Sequence, residues 1–426
     1  MIEMLIIADD FTGALDTGVK FSAAGATTKV VTDIEIDFAT DLPEEVLVLC
    51  APTRHLSPQA AYDMIYHISA RAAAAGIGCI FKKTDSALRG NIGAELSAVL
   101  DGSGASSISF IPALPAMNRI TVDGTHYIDG VPVAQSVFGQ DPFEPVRESY
   151  VPSLLHSQCD IPVKVVACQE SGNFHSGEEP CIYVFDCVSK EDMEMEVQAL
   201  AIQGRLHVLA GCAGLAESLP PYLGLTSAGG ERRKTDCDRL TVICGSVNPI
   251  SCSQMDYAEK RGWHRTHISA EHLLREESLS ESSGGAMMDC LWSAYCDYEY
   301  LMIDSLQSGE DQVMEGTAGL TLEDIRQKIS HRMGLILKTL MDRGADSRFM
   351  IIGGDTLFAF LEAIHCYELT PVCELQPGVV LSRVTYQGRQ YEIISKSGGF
   401  GEENLLVTLQ GSPKHPITFT SEPAVS

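Results

Sequence analysis

Short apolar runs separated by longer amphipathic segments set the pattern of this 426-residue chain. The runs are bounded by Gly, Pro or charged residues, which is typical of buried β-strands, and segments between them, such as 58–75, have apolar residues at helical spacing. Strands that alternate with helices predict parallel βαβ units in a doubly wound sheet. The predicted strands in this part of the chain are residues 3–8, 26–32, 45–51, 77–81, 108–112, 180–187 and 206–210.

The same pattern begins again at Leu240, after a stretch whose composition is typical of a linker. Between residues 222 and 238, small residues precede the charge run 231–234. Because 426 residues exceed what one hydrophobic core usually holds, we predict two α/β domains, each with a mostly parallel sheet flanked by helices. The predicted bounds are 1–228 for the N-terminal domain, 238–412 for the C-terminal domain and 413–426 for a polar tail.

Residues 113–150 interrupt this alternation of strands and helices. The segment 121–132 carries Asp-Gly pairs between apolar residues, which predicts a β-hairpin. Such an excursion from an α/β sheet is often a lid or an oligomer contact. His126 lies within it and is either a lid ligand or, like most single loop histidines, structural or solvated.

Composition excludes several classes of partner. The net charge of −27 argues against nucleic acid and against anionic membrane surfaces, because both require a basic face. The fourteen cysteines include no C-x-x-C pair, and neither a secretory leader nor an apolar run of about 20 residues is present. We therefore predict a cytoplasmic protein with reduced thiols. The oligomeric state stays open, a homodimer included.

A cluster of charged residues follows the predicted strand 77–81. Lys82, Lys83, Asp85 and Arg89 lie within eight positions, with Thr84 between them, where a helix is about to begin. In open α/β sheets ligands bind at the carboxyl ends of strands. Three cations beside a carboxylate predict a site for a small anion with a base next to it. The alternative is a solvated charged turn.

Two other predicted strands end in charged residues on the same sheet edge. Asp9 and Asp10 follow the first strand, and Arg54 follows the third. Paired carboxylates suit a substrate hydroxyl, a metal ion or general base catalysis, while helix capping by Asp10 or Thr12 is the alternative. We predict that these strand ends converge on the anion site.

Three glycine-bearing turns follow strands of the second domain. They are residues 245–249, 353–356 and 398–401, and a helix is predicted to open at about Leu357. Glycine lets backbone N–H groups approach an anion closely, and helix N-termini favour phosphate. Asp355 would repel phosphate unless Mg²⁺ bridged the two. The P-loop and dinucleotide fingerprints are absent, so the turns indicate a nucleotide site of another kind.

Taken together, these motifs resemble the four-carbon acid sugar kinase family. The resemblance runs in order from about residue 5 to residue 410. The matching segments are Ala8–Ala14, Lys82–Asn91, Gly130–Pro132 through Asp141–Pro142, Gly245–Ser246, Gly353–Thr356 and Lys396–Gly401. Residues that depart from the family pattern are Phe11, Ala87, Cys212 and Ser251, and the first two put the identity of the substrate in doubt.

The resemblance implies ATP-dependent phosphorylation of threonate, erythronate or 3-oxo-tetronate, with ATP and Mg²⁺ as cofactors. It implies that Asp10, Arg54 and the segment Lys82–Asp85 contact the sugar acid. It also implies that ATP is held by Ser246, by Gly353, Gly354, Asp355 and Thr356, and by Gly398, Gly399, Phe400 and Gly401.

From these residues we predict phosphoryl transfer to the terminal hydroxyl of a C4 sugar acid in a cleft between the domains. Arg54, Lys82 and Arg89 would hold anionic charge, with Asp9 and Lys83 beside them, and either Asp85 or Asp10 would deprotonate the hydroxyl. The alternatives are a kinase of another short sugar acid and a non-catalytic sugar-acid sensor.

Overall fold

The computed structural model describes residues 2–40, 42–141, 144–173, 179–226, 238–246, 248–274, 279, 282–305 and 320–410. The chain divides into two compact units. Unit 1 is Met1–Glu231 with Tyr367–Glu374, and unit 2 is Arg232–Cys366 with Leu375–Ser426. Both are α/β, as predicted. The predicted tail 413–426 and most of the predicted linker lie outside the described residues.

Unit 1 is built on a sheet of short apolar strands. Its strands are β1 Met4–Ala8, β2 Thr28–Val31, β3 Val46–Cys50, β4 Cys79–Lys83, β5 Ser107–Ile111, β6 Arg119–Val122, β7 Thr125–Ile128, β8 Val131–Pro132, β9 Val163–Val166, β10 Cys181–Phe185 and β11 Val208–Gly211. Its helices are α1 Phe11–Ala24, α2 Pro58–Ala74, α3 Ile92–Ser103, α4 Val151–His156, α5 Lys190–Ile202 and α6 Ala213–Ser218.

The order β2-β3-β1-β4-β11-β5-β10-β9 makes the main sheet of unit 1, and all its neighbouring strands are parallel. Strands β1, β3, β4 and β10 are buried along their whole length, which explains their unbroken apolar runs. The strand at 79–83 extends two residues beyond the predicted Phe81, so Lys82 and Lys83 belong to the sheet and not to the turn after it.

Helices cover both faces of this sheet. Helix α1 packs on one face, where a Cβ at Gly18 would lie 3.1 Å from Val48 Cγ2. Residues of the opposite face, including Leu5 and Leu49, form one apolar cluster with α2 and α3. Helix α1 begins after Asp10, whose side chain accepts the Gly13 N–H, and ends at Gly25 with φ 100°.

The predicted excursion forms a separate antiparallel sheet in the order β6-β7-β8. Its turns have φ values of 48° and 72° at Asp123 and Gly124, and 50° and 77° at Asp129 and Gly130. Two successive positive φ angles are those of type I′ turns, so the Asp-Gly hairpin prediction is confirmed.

Unit 2 has a second, smaller sheet. Its order is β13-β14-β12-β15-β18-β17, with β17 antiparallel to β18 and the others parallel. Its strands are β12 Leu240–Cys244, β13 His264–His267, β14 Tyr300–Asp304, β15 Arg348–Ile352, β17 Val379–Tyr386 and β18 Arg389–Lys396. The strand before β17, β16 Glu368–Gln376, is divided between the two units. Its helices are α7 Pro249–Glu259, α8 Ala270–Leu274, α9 Ser282–Asp297, α10 Leu322–Asp342, α11 Gly354–Ala363 and α12 Leu405–Thr408.

Two features of this region differ from the sequence expectations. Helix α11 begins at Gly354, three residues before the predicted Leu357, so Asp355 and Thr356 lie in its first turn. Most of β16 belongs to unit 1, where Glu368 and Leu369 pair antiparallel with β2. Among the described helices, none combines the length and apolar composition that crossing a bilayer needs.

Candidate active site

Arg54 is the centre of a charged cluster at the carboxyl ends of β3, β1 and β4. Its Nε lies 2.8 Å from Asp9 Oδ2. Its Nη2 lies 2.8 Å from the same oxygen, 3.0 Å from Asp10 Oδ1 and 3.9 Å from Asp85 Oδ1. Because β1 lies between β3 and β4 in a parallel arrangement, the residues after all three strands meet at one edge. The predicted convergence is confirmed.

The charges in this cluster stabilise one another against burial. Burial alone would raise the pKa of Asp9, but Arg54, Lys82 and Lys83 lower it below its usual value. Burial also opposes ionisation of Asp85, and the guanidinium groups of Arg89 and Arg54 hold its pKa well below the usual range. Both carboxylates therefore stay ionised at neutral pH.

Lys82 and Lys83 point to opposite faces of the sheet, as neighbours in a strand must. Lys82 is fully buried, and its Nζ lies 2.9 Å from Glu95 Oε2 on α3. Lys83 faces α1, where its Nζ donates to Thr84 O at 2.8 Å. No carboxylate among the described residues forms an ion pair with the buried Lys83, and its charge acts on Asp9 and Asp16 only from a longer distance.

Asp85 and Arg89 form a two-pronged ion pair. Arg89 Nε and Nη2 lie 2.9 Å and 3.0 Å from the two Asp85 oxygens. Arg89 also lies over the Phe138 ring at 5.3 Å and 3.6 Å from Asp141 Oδ2. These contacts fix the guanidinium beside the Arg54 cluster and leave a quarter of its side chain exposed.

Asp10 caps α1, which is one of the alternatives that the sequence left open, and it also pairs with Arg54. Its Oδ1 accepts the Gly13 N–H at 3.0 Å, which caps α1, and it pairs with Arg54. About 30% of its side chain is exposed. A Cβ built at Gly13 would overlap Asp10 Oδ1 and lie 2.8 Å from Lys83 Nζ, so glycine keeps the space between them open.

Two buried polar atoms next to the cluster have no hydrogen-bond partner among the described residues. They are Asp9 Oδ1 and the Thr84 hydroxyl. Thr84 is otherwise fixed, since its N–H donates to Gly211 O at 2.8 Å. Buried polar atoms are rarely left unsatisfied, so these atoms indicate a place for water or a polar ligand.

We call the residues around this space the acid site: Asp9, Asp10, Arg54, Lys83, Thr84, Asp85 and Arg89.

Sequence reasoning missed the groups that support the acid site. Arg119, on β6, donates to the Ser86 hydroxyl, and its pKa is lowered by burial. The ring of His126 bonds Ser86 O at 3.0 Å and Thr121 Oγ1 at 3.0 Å, and burial lowers its pKa to about 4. The structural reading of His126 is therefore confirmed.

Asp16 is a further group that the sequence analysis did not single out. It lies on α1, and burial raises its pKa to about 6 against the opposing charges of Lys20 and Lys83. A carboxyl group with such a pKa titrates near neutral pH. No sequence pattern distinguishes it from an ordinary helical aspartate.

The glycine-bearing turns of unit 2 come together at the carboxyl ends of β12, β15 and β18. A Cβ at Gly245 would overlap Thr356 Oγ1, and one at Gly398 would overlap Ser246 Oγ. Gly353 has φ 114°, a conformation suited to glycine, and a Cβ there would lie 3.4 Å from Thr356 Oγ1. We call these turns, residues 245–246, 353–356 and 398–401, the glycine loops.

Side chains that the sequence analysis did not select hold the last of these loops. Gln254 Nε2 lies 3.1, 3.0 and 2.9 Å from the carbonyl oxygens of Phe400, Gly401 and Glu402. Ser251 Oγ donates to Gly398 O at 2.8 Å. Both side chains come from α7, so this helix holds the loop by hydrogen bonds to the loop's carbonyl oxygens. Within the loop, the Phe400 N–H donates to Ser397 O at 3.3 Å.

The acidic residues of unit 2 bear on whether Mg²⁺ fits. Asp355 pairs with Arg326, and about half of its side chain is exposed. The described residues contain no group of three or more His, Cys, Asp and Glu side chains arranged for a metal ion. Mg²⁺ usually binds through one or two carboxylates together with phosphates and water. Asp355 and the neighbouring Thr356 hydroxyl fit an ion that arrives with a triphosphate.

A cavity of about 550 Å³ lies elsewhere in unit 1 and contains none of the predicted site residues. It is lined in part by Cys168, Cys187 and Asp192. Beside it, burial raises the pKa of Glu196 to about 9. Neither Glu196 oxygen has a hydrogen bond of good geometry, although the Cys168 thiol is near enough to shift its pKa. The volume of a cavity therefore does not by itself identify the candidate active site of unit 1.

Comparison with known proteins also divides the chain into two domains. Residues 4–219 match the model of a sugar-binding N-terminal domain, and residues 241–406 match that of a nucleotide-binding C-terminal domain. The chain is 35% identical over 424 residues to the D-threonate kinase of Cupriavidus necator, covering 94% of this chain and 96% of the relative. It is 26% identical to the D-threonate kinase of Salmonella typhimurium, covering 95% and 97%.

A solved structure has the same fold over nearly the whole length. It is a Salmonella typhimurium LT2 protein described as a putative tRNA synthase, with a TM-score of 0.78 and 20% identity. The match covers 96% of this chain and 99% of that one. At this identity the likeness supports the fold alone.

Proposed function

The chain belongs to the four-carbon acid sugar kinase family, whose members transfer a phosphoryl group to an alcohol, and we propose that it phosphorylates the 4-hydroxyl of a four-carbon sugar acid with ATP. Threonate, erythronate and 3-oxo-tetronate are the candidate acceptors. D-Threonate is the first to test, because the relative at 35% identity carries that activity in its name. The observation that carries the proposal is the buried Lys83 ammonium beside the Arg54 cluster, which has no ion-pair partner among the described residues.

In this proposal the acceptor's carboxylate pairs with Lys83. A buried ammonium group is stabilised most by an anion that contacts it directly, with no water between them. The carboxylate of a small sugar acid is such an anion. The acceptor's hydroxyl groups supply hydrogen bonds to Thr84 Oγ1 and Asp9 Oδ1, the two atoms that lack partners. Lys82 supports the site through Glu95 and makes no direct contact with substrate, since its charge is already paired.

Asp10 is the better candidate for accepting the proton of the reacting hydroxyl. Asp85 accepts hydrogen bonds from two nitrogens of Arg89, and its pKa is held well below the usual range, so it is a weak base. Asp10 is partly exposed and borders the space beside Gly13. The acceptor O4 forms the new bond to phosphorus, the bond to the ADP oxygen breaks, and the O4 proton passes to Asp10.

The glycine loops of unit 2 would hold ATP through backbone N–H groups and through the first turn of α11. Asp355 and Thr356 would hold Mg²⁺, which supplies neutralisation of the developing charge when bound. Chemistry of this kind depends mainly on positioning, so the acid and the triphosphate must be brought together. The inter-domain cleft, the cytoplasmic location and a homodimer stay predictions.

A coupled assay of ADP release tests the proposal. The purified chain is assayed with MgATP against D- and L-threonate, D- and L-erythronate and their 3-oxo forms. We expect turnover with at least one acid, and phosphorus NMR of the product locates the phosphate on O4. A sugar-acid sensor predicts acid binding without ADP release from any of them, and that result would contradict the proposal. Turnover of only another short acid would favour the second alternative.

The two candidate bases are separated by a matched pair of variants. Asp10→Asn should lower kcat by about 10²- to 10⁴-fold, the usual loss when a general base is removed. Asp85→Asn should act mainly on KM for the acid, because it releases Arg89 and Arg54. An Asp10→Asn enzyme with near-normal kcat would shift the role to Asp85 or Asp16.

A further inference from the structure

Lys396 ends β18 directly before the third glycine loop, and it is almost completely buried, with 1% of its surface exposed. Its Nζ donates to Ser251 Oγ at 3.2 Å, to Ser397 O at 3.0 Å and to Gly398 O at 3.0 Å. All three donors of the ammonium group are therefore used, and each partner is a neutral oxygen. Through them the charge is placed under the backbone of the loop.

The charge of Lys396 has no counter-ion among the described residues of unit 2, since none of their carboxylates forms an ion pair with it. Buried cations are normally paired, because an isolated charge in an apolar interior is costly. The bound nucleotide would bring negative charge to the other side of the same loop. We infer that nucleotide phosphate is the missing counter-ion of Lys396, so that binding holds Lys396 in its protonated form. This rests on the proposed nucleotide site.

The surroundings of Lys396 make its protonation responsive to a ligand. Burial lowers its pKa to about 8, and the Cys244 thiol of β12 is the titratable neighbour that acts on it. Burial raises the pKa of Cys244 to about 12, so this thiol stays neutral below that pH. Ser251 of α7, Ile352 of β15 and Val379 of β17 also adjoin Lys396, and none of them titrates. Helix α11 packs against β18 as well, and the acidic residue of its first turn, Asp355, pairs with Arg326.

Nucleotide binding and proton uptake are linked through Lys396. Well below pH 8, Lys396 is protonated in the free and the bound protein, and nucleotide binding takes up no proton. Above it, the free protein has a neutral Lys396, so binding takes up a proton and affinity falls. ADP affinity is proportional to the fraction of free protein in which Lys396 is protonated. This fraction falls by about eightfold from pH 7.5 to pH 9, so we expect the same loss of ADP affinity and an uptake approaching one proton at pH 9. Phosphate itself is fully ionised in this range, since its second pKa is about 6.

Calorimetric titration of the unmodified protein with ADP, in buffers of different ionisation enthalpy, measures both quantities. We expect proton uptake that grows between pH 7 and pH 9 together with the loss of affinity. Binding at pH 7 without proton uptake at pH 9 overturns this inference and leaves the proposed function standing. Failure of ADP and ATP to bind at pH 7 overturns the nucleotide site itself, and this inference with it.

Variants assign the effect to Lys396. Lys396→Met should bind ADP at least about tenfold more weakly at pH 7 and with little pH dependence. Ser251→Ala removes one acceptor of the ammonium group and should move the pH midpoint lower, which tests the assignment even where Lys396→Met does not fold. Lys338→Met removes the same charge from a partly exposed pair with Asp342 and should behave as the unmodified protein does. A pH dependence that persists in Lys396→Met overturns the inference.

Discussion

The acid site of unit 1 and the glycine loops of unit 2 lie at equivalent places, the carboxyl ends of neighbouring parallel strands, but they are built from different groups. The acid site is a network of side-chain charges in which Arg54 alone contacts three carboxylates. The glycine loops are held by side chains such as Gln254 that bond their carbonyl oxygens. The first arrangement places charge itself, whereas the second places backbone.

The difference has a consequence for how each site responds to substitution. A buried charge network contributes to folding as well as to binding, because a charge that loses its partner stays buried. A loop that binds through its backbone carries few charges that a substitution could leave unpaired. A substitution there therefore acts mainly by changing how the loop packs. We therefore expect stability and activity to fall together where an ion pair of the acid site is broken, and to separate in the glycine loops.

Arg54→Met should give the largest effect. It leaves Asp9, Asp10 and Asp85 without their shared cation, which should lower the free energy of unfolding by about 3–5 kcal/mol and the activity by about a thousandfold or more. Chemical denaturation and the ADP-release assay measure the two. Arg71→Met is the control, since Arg71 of α2 is partly exposed and bonds mainly carbonyl oxygens.

The pH dependence of this variant sharpens the test. In the unmodified protein the pKa values of Asp9 and Asp85 are depressed, so their contribution to stability is complete above about pH 4, the unfolded value, and is lost as the pH falls through the folded values. Without Arg54, burial should raise these pKa values. The deficit of Arg54→Met should then shrink as the pH falls from 7 towards 4, and a constant deficit would contradict the charge network.

Lys82 and Lys83 allow the two contributions to be separated within one strand. Lys83→Met should raise KM for the acid by about 10- to 100-fold with little change in stability, because no described carboxylate forms an ion pair with Lys83. Lys82→Met should do the reverse and lower the free energy of unfolding by about 3 kcal/mol, because Glu95 is left buried and unpaired. Steady-state kinetics and denaturation distinguish them. Adding Glu95→Gln should restore much of the stability of Lys82→Met but none of the KM of Lys83→Met.

These lysines also show how far the sequence could go. The order of strands and helices, and the rule that parallel strands end at one edge, are enough to place Asp10 and Arg54 together. The sequence placed the strand end at Phe81 and so left Lys82 and Lys83 in a turn, where the alternation that directs one to α3 and the other to α1 does not apply. Glu95 lies twelve residues beyond Lys83 in an unremarkable helix, and only the packing of α3 on the sheet reveals the pair.

In unit 2 the limits were of another kind. The glycine turns could be predicted because glycine follows three separate strands of one domain, and such a recurrence is typical of a phosphate-binding site. Gln254 and Lys396 act on carbonyl oxygens of a loop, and such contacts leave no pattern in the sequence. The addition of Tyr367–Glu374 to unit 1 was also beyond reach, since it depends on which sheet edge is free to pair.

Gly398→Ala should weaken nucleotide binding without large destabilisation. Its Cβ would overlap Ser246 Oγ and lie 2.9 Å from Asn248 Cβ, so the two loops must separate, at about 1–3 kcal/mol or roughly tenfold or more in ADP affinity. Gly399→Ala is the matched control for the unliganded loop, since its Cβ would lie 3.6 Å from Asn248 Nδ2. Calorimetry with ADP compares them. Equal loss in both variants would mean that ligand approach, and not loop packing, sets the effect.

The smallest expected effect concerns Arg326, which pairs with Asp355 at a partly exposed position. Such pairs contribute about 0–1 kcal/mol, so Arg326→Met should change stability little. If Asp355 binds Mg²⁺, the arginine competes with the ion, and its removal should lower the Mg²⁺ concentration for half-maximal activity by about two- to fivefold. Asp355→Asn should raise that concentration instead. Titrations of both variants with Mg²⁺ at fixed ATP test this, and opposite shifts in the two would place the ion at Asp355, whereas parallel shifts would exclude it.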